Sequence, residues 1–410
     1  MRFPAAPSDQ LMYLNLATDD GQARIVLTFE GRLDPGRMAR AAELTLADEP
    51  VLHCGFVERS WRSYWEWQDS PEPVFRRIDG GGADEFVRFM AEAATPGRPP
   101  QVQVRLYRTD RDVLCIKISH LVADGAGALD YIGRLARIYR ALGIDAAYRP
   151  QPDLRLSRHP AQVLRHVSRS ELARALHRRP VPQGLARWGL PPAPAHPSPP
   201  VFLVRRIGVE RLAGLLRYAR SQGTSLTELL LAAYFRSLFE VLDPPAGVPL
   251  PVAVPINLRR YLPSGAAGRI SNLTGALLPA VSREPGAAFG ATLAQVHAAM
   301  QAAHASHPEL AQVVYGSLAL LPGVAVMRRL ARRYQVACPA FANLGVIDPA
   351  AVHFGGAAVC DVSMFGPVQY PPAFGLSVNT FHGAATVTTG TCGEAPVQRL
   401  LDRFLKELPA

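Results

Sequence analysis

Lys117-Ile118-Ser119-His120-Leu121-Val122-Ala123-Asp124-Gly125-Ala126-Gly127 is the stretch whose reading decides the rest of this 410-residue chain. Before it, Leu114, Ile116 and Ile118 alternate with Val113, Cys115, Lys117 and Ser119, the period-two pattern of a strand. His120 continues the apolar face. Upstream, Val102, Val104 and Leu106 alternate in the same way, and Thr109-Asp110-Arg111-Asp112 between the two runs predicts a hairpin. Downstream, Leu129, Ile132, Leu135, Ile138, Tyr139 and Leu142 recur at helical spacing, so a helix is expected from near Gly127. Asp124 stands where a helix cap stands, and Gly125 tolerates backbone angles that a side chain forbids.

Two readings of this strand-turn-helix compete. A neutral imidazole at a strand end in apolar surroundings is a competent general base, because burial disfavours its charged form. Asp124 then holds the turn and does not react. The plain structural alternative is a satisfied core histidine followed by an ordinary cap.

Around the motif the chain divides into residues 1–180, a linker at 181–200 and residues 201–410. Pro180, Pro182, Pro191, Pro192, Pro194, Pro197, Pro199 and Pro200 crowd that boundary, and proline at such density propagates neither helix nor inner strand. The second half opens with a strand at 201–207 and a helix at 209–221 that stops at Gly223. Ser225 and Glu228 then form a capping-box pattern before a long apolar helix to Leu242. A strand at 250–254, helices at 286–305 and 310–320, strands near 357–364 and 375–381, and an amphipathic helix carrying Val397, Leu400, Leu401, Phe404 and Leu408 complete it. His297, His304 and His307 lie at near-helical spacing with no carboxylate partner in the pattern and read as a solvated face. Strand, helix and strand at the head of both halves predict two similar α/β lobes, and clefts between lobes are where ligands lodge.

Forty-four basic against 34 acidic residues give a net charge of +10, and 48% hydrophobic content fills sizeable cores. Residues 155–179 are rich in arginine and histidine and poor in acids. Such a segment is either a solvated helix or a surface for a polyanion: coenzyme A phosphates, an acidic carrier protein or an anionic membrane. No nucleic-acid partner is expected, since no zinc-finger, K-homology or ribonucleoprotein pattern accompanies the charge. Cys54, Cys115, Cys338, Cys360 and Cys392 are far apart and without histidines at zinc spacing, so neither a metal site nor a disulfide framework is expected. No charged-then-apolar leader precedes Leu16, and the expected location is the cytoplasm. Residues 310–327 contain Gln312, Pro322 and Gly323 and read as buried helices broken by a turn. Membrane contact is not expected; the one segment with that character is 327–334, where Arg328, Arg329, Arg332 and Arg333 punctuate apolar positions.

The H-x-x-x-D-G pattern at His120, Asp124 and Gly125 resembles that of the condensation-domain and chloramphenicol acetyltransferase-like acyltransferase superfamily. Val254-Pro255-Ile256-Asn257-Leu258-Arg259 followed by Gly268-Arg269-Ile270-Ser271-Asn272-Leu273-Thr274 is similar to a second stretch of that group. The strand pair around Phe374 to Thr380 and Ala384 to Thr389, turning at Gly383, is similar as well, as are Gly31-Arg32-Leu33-Asp34 and Asp48-Glu49-Pro50-Val51-Leu52 near the beginning. This resemblance implies an α/β fold of two lobes, each a mixed sheet with flanking helices, and an active-site tunnel between them. It implies an acyltransferase that moves an acyl group from a thioester, on coenzyme A or on the phosphopantetheine of a carrier protein, to a hydroxyl or amine, with His120 as base and no bound cofactor. Candidate oxyanion or substrate-binding residues are Ser119, Arg259, Asn272, Ser377, Asn379 and backbone amides near Gly125. The departures are informative. Ser119 replaces the first of two tandem histidines usual in condensation domains, which keeps open a non-catalytic module that recruits a carrier or partner enzyme. His53 stands where many of them have an arginine, which leaves Arg259 as the candidate partner of Asp124. The D-F-G-W-G element of the plant branch is absent.

Overall fold

The hairpin and helix around the motif form nearly where their periodicities put them. In the computed structural model, residues 1–70, 72–80, 83–153, 156–177, 199–263, 269–334, 338–392 and 395–409 are described. The first half runs β1 (Arg2–Pro4), α1 (Pro7–Asn15), β2 (Gln22–Phe29), α2 (Pro35–Asp48), β3 (Cys54–Val57), β4 (Tyr64–Trp67), β5 (Phe75–Asp79), α3 (Ala83–Ala91), β6 (Val102–Arg108), β7 (Asp112–Ser119), α4 (Gly125–Ile144) and α5 (Arg169–His177). The second runs β8 (Val201–Ile207), α6 (Val209–Ser221), α7 (Leu226–Leu242), β9 (Pro249–Pro251), β10 (Val254–Asn257), β11 (Thr274–Leu277), β12 (Ala280–Ser282), α8 (Phe289–Ser306), α9 (Pro308–Ala319), α10 (Val324–Tyr334), β13 (Ala340–Val346), β14 (Val359–Phe365), β15 (Gly375–Phe381), β16 (Ala384–Thr391) and α11 (Ala395–Glu407). Most of the expected linker, residues 181–198, lies outside the described residues.

Two mixed sheets organise these elements. The first has the order β14-β2-β7-β6-β5, antiparallel except for the β5–β6 pair. The second has the order β13-β15-β16-β8, with β13 parallel to β15. Helices α2 and α4 pack over the first sheet, where Ile25, Leu27, Leu114, Ile116, Leu135 and Ile138 are fully buried in one core. Helices α6, α7, α8 and α11 close the second core around Leu230, Phe235, Phe341, Leu376 and Phe404. The Ser225–Glu228 capping box forms reciprocally at the head of α7, which satisfies two backbone donors that a helix start otherwise leaves orphaned.

One strand departs from the division by chain position. β14 belongs to the second half but pairs antiparallel with β2 of the first, Val362 opposite Leu27. It also lies against the second sheet. Fully buried Asn379 on β15 donates to the Val362 carbonyl at 3.0 Å and accepts from the Met364 amide at 3.2 Å, while the Thr388 hydroxyl donates to the Met364 carbonyl. The two sheets are thereby joined by hydrogen bonds to the backbone of one strand.

Other expectations shift by local causes. Helix α4 begins at Gly125 and not near Gly127, because Asp124 is itself the cap and accepts from the Gly127 amide at 2.8 Å. The strand expected at 250–254 divides into β9 and β10, since the Val252 amide bonds to the Pro279 carbonyl and that of Ala253 to Pro339. His297 and His307 are not an unpartnered face: His297 Nδ1 lies 3.0 Å from Glu228, and His307 Nδ1 lies 3.6 Å from Glu309 and 3.2 Å from the Tyr261 hydroxyl. Glu228 and Tyr261 come from other elements, which spacing along one helix does not reveal, whereas Glu309 lies two residues beyond His307 at the start of α9. The helices expected across 310–327 form as α9 and the start of α10 with a break at Gly323, but Leu318, Leu321 and Val326 are exposed and not buried; strand β13 went unread.

Asn379→Ala leaves two buried backbone groups of β14 without partners. At roughly 1–3 kcal/mol for each orphaned group, it is expected to lower unfolding free energy by about 3 kcal/mol, read from the shift of the urea midpoint.

Candidate active site

Strand β7 ends at Ser119, and the turn from His120 to Asp124 leads into α4. Leu121, Val122 and Ala123 are fully buried, so the turn is anchored through its apolar residues. Its backbone is held from several sides. The His120 amide donates to the Gly21 carbonyl at 2.8 Å, and Asn272 donates to the carbonyls of His120 and Leu121 at 2.9 and 2.8 Å. Arg158 donates to the Val122 carbonyl and to Asp9, both at 3.1 Å. Arg158 therefore belongs to the packing of the turn and not to a solvated basic helix, although Arg165, Arg169 and Arg174 around it are exposed.

Asp124 is the most heavily bonded side chain of the site. One carboxylate oxygen accepts from the Gly127 amide at 2.8 Å and from Arg259 at 2.9 Å; the other accepts from the Leu273 amide and the Thr274 hydroxyl, both at 2.7 Å, and from Arg259 at 3.0 Å. Burial by itself raises its pKa, but the Arg259 guanidinium and these hydrogen bonds outweigh burial and hold the carboxyl below its ordinary range. Arg259 follows β10 and also donates to the Ser271 carbonyl at 2.9 Å. The pair thus ties the motif turn of the first half to β10, β11 and the 271–274 segment of the second. Close by, buried Glu49 accepts from Arg269 and from the Ile270 amide, a second tie across the same seam.

Gly127 is required here by space: a Cβ on it would come within 2.9 Å of the Ser271 carbonyl oxygen. Gly125, against expectation, takes no left-handed backbone angle, and its added Cβ would meet only the flexible end of the Leu344 side chain, at 2.6 Å.

His120 is partly exposed while its Nδ1 is buried without a hydrogen-bond partner of good geometry. Burial lowers its pKa, opposed by the Asp124 and Asp20 carboxylates and its own backbone carbonyl, and leaves it below the ordinary imidazole value. The lowered pKa keeps the ring neutral at pH 7, the protonation state a proton acceptor needs.

The remaining sequence candidates fall in different places. Ser119 points to the other side of the strand end, where its buried, unpartnered hydroxyl lines a polar cavity of about 770 Å³ with Gln22, Gln101 and Lys117. Asn272 is beside His120, but both amide hydrogens are committed to backbone carbonyls, so as placed it has none for an oxyanion. Ser377 and Asn379 lie on β15; Ser377 stands against Gly366, and Asn379 is spent on β14. His53 stacks on Trp67 with ring centroids 4.2 Å apart and takes no part in the Asp124 pair. Sequence reasoning did not single out Glu49, Arg158 or Gly21, whose partners lie far away in the chain. Among the described residues, no cluster of three or more His, Cys, Asp or Glu is arranged for a metal.

With that geometry in view, the fold is that of condensation domains and related acyltransferases. The first condensation domain of the calcium-dependent antibiotic synthetase, in complex with a substrate analogue, matches with a TM-score of 0.73 at 18% identity, over 100% of this chain and 95% of that one. TRI3 trichothecene 15-O-acetyltransferase from Fusarium sporotrichioides matches with a TM-score of 0.74 at 12% identity, over 99% and 94%. Polyketide synthase associated protein 5 from Mycobacterium tuberculosis matches with a TM-score of 0.67 at 14% identity, over 99% and 97%. At such identities the likeness is one of fold. No protein-family model matches the chain, and no curated protein does either.

Arg259→Met strips the buried Asp124 carboxylate of its cation and is expected to cost about 3–5 kcal/mol at pH 7, measured by chemical unfolding. In the parent, Asp124 contributes stability that is complete above its unfolded pKa of about 3.9 and is lost as pH falls through its lower folded value. In the variant the uncompensated carboxyl titrates above its unfolded value and gains by protonation. The difference between the two proteins should therefore narrow as pH is lowered toward 4.

Proposed function

We propose that this protein is an acyltransferase in which His120 accepts the proton of a hydroxyl or amine as that group attacks a thioester carbonyl. The observation that carries the reading is a neutral, partly exposed imidazole held at the seam of two lobes by a buried Asp124–Arg259 pair. A new bond forms between the acceptor oxygen or nitrogen and the carbonyl carbon. Collapse of the tetrahedral intermediate expels the thiolate, and the proton on His120 passes to that sulfur. Transfer is direct, so no nucleophilic serine or cysteine is needed. Asp124 is a positioning residue whose oxygens are fully engaged in holding the turn.

The oxyanion needs donors that are not already in use. The Asn272 amide and Asn379 are committed elsewhere. That leaves the amides of Gly125 and Ala126 in the first turn of α4, which have no partner within the helix, with the positive end of the helix dipole behind them. A thioester on coenzyme A or on a carrier presents the same phosphopantetheine arm. The exposed Arg165, Arg169 and Arg174 support an acidic carrier protein as donor, because they sit on the segment whose Arg158 reaches the motif turn. The synthetase condensation domain and the O-acetyltransferase that share this fold are consistent with such chemistry.

His120→Ala is expected to reduce thiol release from an acyl thioester, in the presence of an alcohol or amine panel, by roughly 10²–10⁴-fold. Equal rates in parent and variant would instead favour a module that recruits a carrier without catalysis. Because burial keeps the imidazole neutral, kcat/KM should be flat through pH 7 and fall only below the ordinary imidazole value of about 6.5.

A further inference from the structure

Helices α9 and α10 meet at a sharp bend, 112° between Pro308–Ala319 and Val324–Leu330. At the bend, Gly323 is pressed against the loop between β3 and β4: a Cβ there would lie 1.7 Å from the Ser60 carbonyl oxygen, and its φ is +93°. This brings two apolar segments to one edge of the molecule. Trp61 on the loop is 74% exposed, and Leu321 and Leu318 at the end of α9 are 69% and 52% exposed. Val326 and Leu330 on α10 are exposed as well. Large apolar side chains this open and this close together form a patch that water disfavours.

The segments that carry the patch bring basic residues without acids of their own. Arg59, Arg62 and Arg329 are exposed there, and the sequence contains no Asp or Glu at 59–65 or anywhere in 310–347. The neighbouring acid, Glu58, is already engaged by Arg328 at 2.9 Å and the Tyr13 hydroxyl at 2.8 Å. An apolar tip ringed by uncompensated cations is complementary to lipid headgroups that carry phosphate. A symmetric contact with a second copy would set the same cations against each other. Nor is this a spanning element: Leu310, Ala311 and Val313 of α9 are buried in a core with Val163, Leu258 and Leu273, and no single described helix is long and apolar enough to cross a membrane.

We propose that this edge is a docking surface for an anionic lipid bilayer, with Trp61, Leu318 and Leu321 entering the interface and Arg59, Arg62 and Arg329 meeting its phosphates. The proposal reverses the sequence-based expectation of no membrane contact and does not depend on the role of His120.

The test is co-flotation of the full chain with phosphatidylcholine vesicles, with and without 30% phosphatidylglycerol. The expected result is binding to the anionic vesicles and little to the neutral ones. Arg329→Glu should weaken binding severalfold, since one basic group near an anionic surface is worth about fivefold. Trp61→Ala combined with Leu321→Ser should weaken it at least tenfold. All three positions are exposed, and an unchanged circular dichroism spectrum confirms the fold of each variant. Because a net charge of +10 draws any such protein to an acidic surface, binding that survives Trp61→Ala with Leu321→Ser overturns the proposal. So does absence of anionic-vesicle binding, and a concentration-dependent dimer abolished by the same double variant would then assign the patch to self-association.

Discussion

The buried pairing of Asp124 with Arg259 is the constraint from which the geometry of the site follows. An ionised carboxylate removed from water is tolerable only when its acceptor positions are filled, and here the two oxygens meet two backbone amides, a hydroxyl and a guanidinium. Those donors belong to both halves of the chain. Satisfying one charge therefore fixes the start of α4, the 271–274 segment and the entry to β11 relative to one another. Any rearrangement that separates its members strands a buried charge.

His120 inherits its position from that arrangement. Its backbone is held by Gly21 and Asn272, its apolar neighbours are buried, and the residue itself keeps part of its surface exposed. The same anchoring explains Asn272. A side chain beside the histidine is not thereby a catalytic group when its donors already hold the turn in shape.

Much of the frame was legible because it is local. The alternation through 112–119, the capping box at Ser225 and Glu228, and the helical spacing in α4 and α11 are short-range patterns, and those elements formed accordingly. Asp124 as a cap follows from its place before a periodic apolar run. The long-range ties are another matter. Glu49 with Arg269, and Arg158 with the Val122 carbonyl, join residues separated by whole elements, and nothing in the neighbourhood of either partner signals the other. The pairing of Asp124 with Arg259 was anticipated by resemblance to a known group and not by spacing. Likewise Asn379, a candidate oxyanion or substrate-binding residue by resemblance, is committed to a strand from the neighbouring sheet, a fact that belongs to tertiary packing alone.

The borrowed strand has a consequence for how the molecule comes into being. Until β14 has emerged from the ribosome, the sheet that carries β7 ends at β2, and the outer edge of β2 presents unpaired amides and carbonyls. The first lobe is therefore unfinished until β14 has been made, though its own helices and hairpins precede that strand. Its closure awaits a segment more than 300 residues downstream of β2, a contact of very high sequence separation whose formation is intrinsically slow. The two lobes mature together, and the histidine at their seam acquires its setting only after β14 has joined the first sheet.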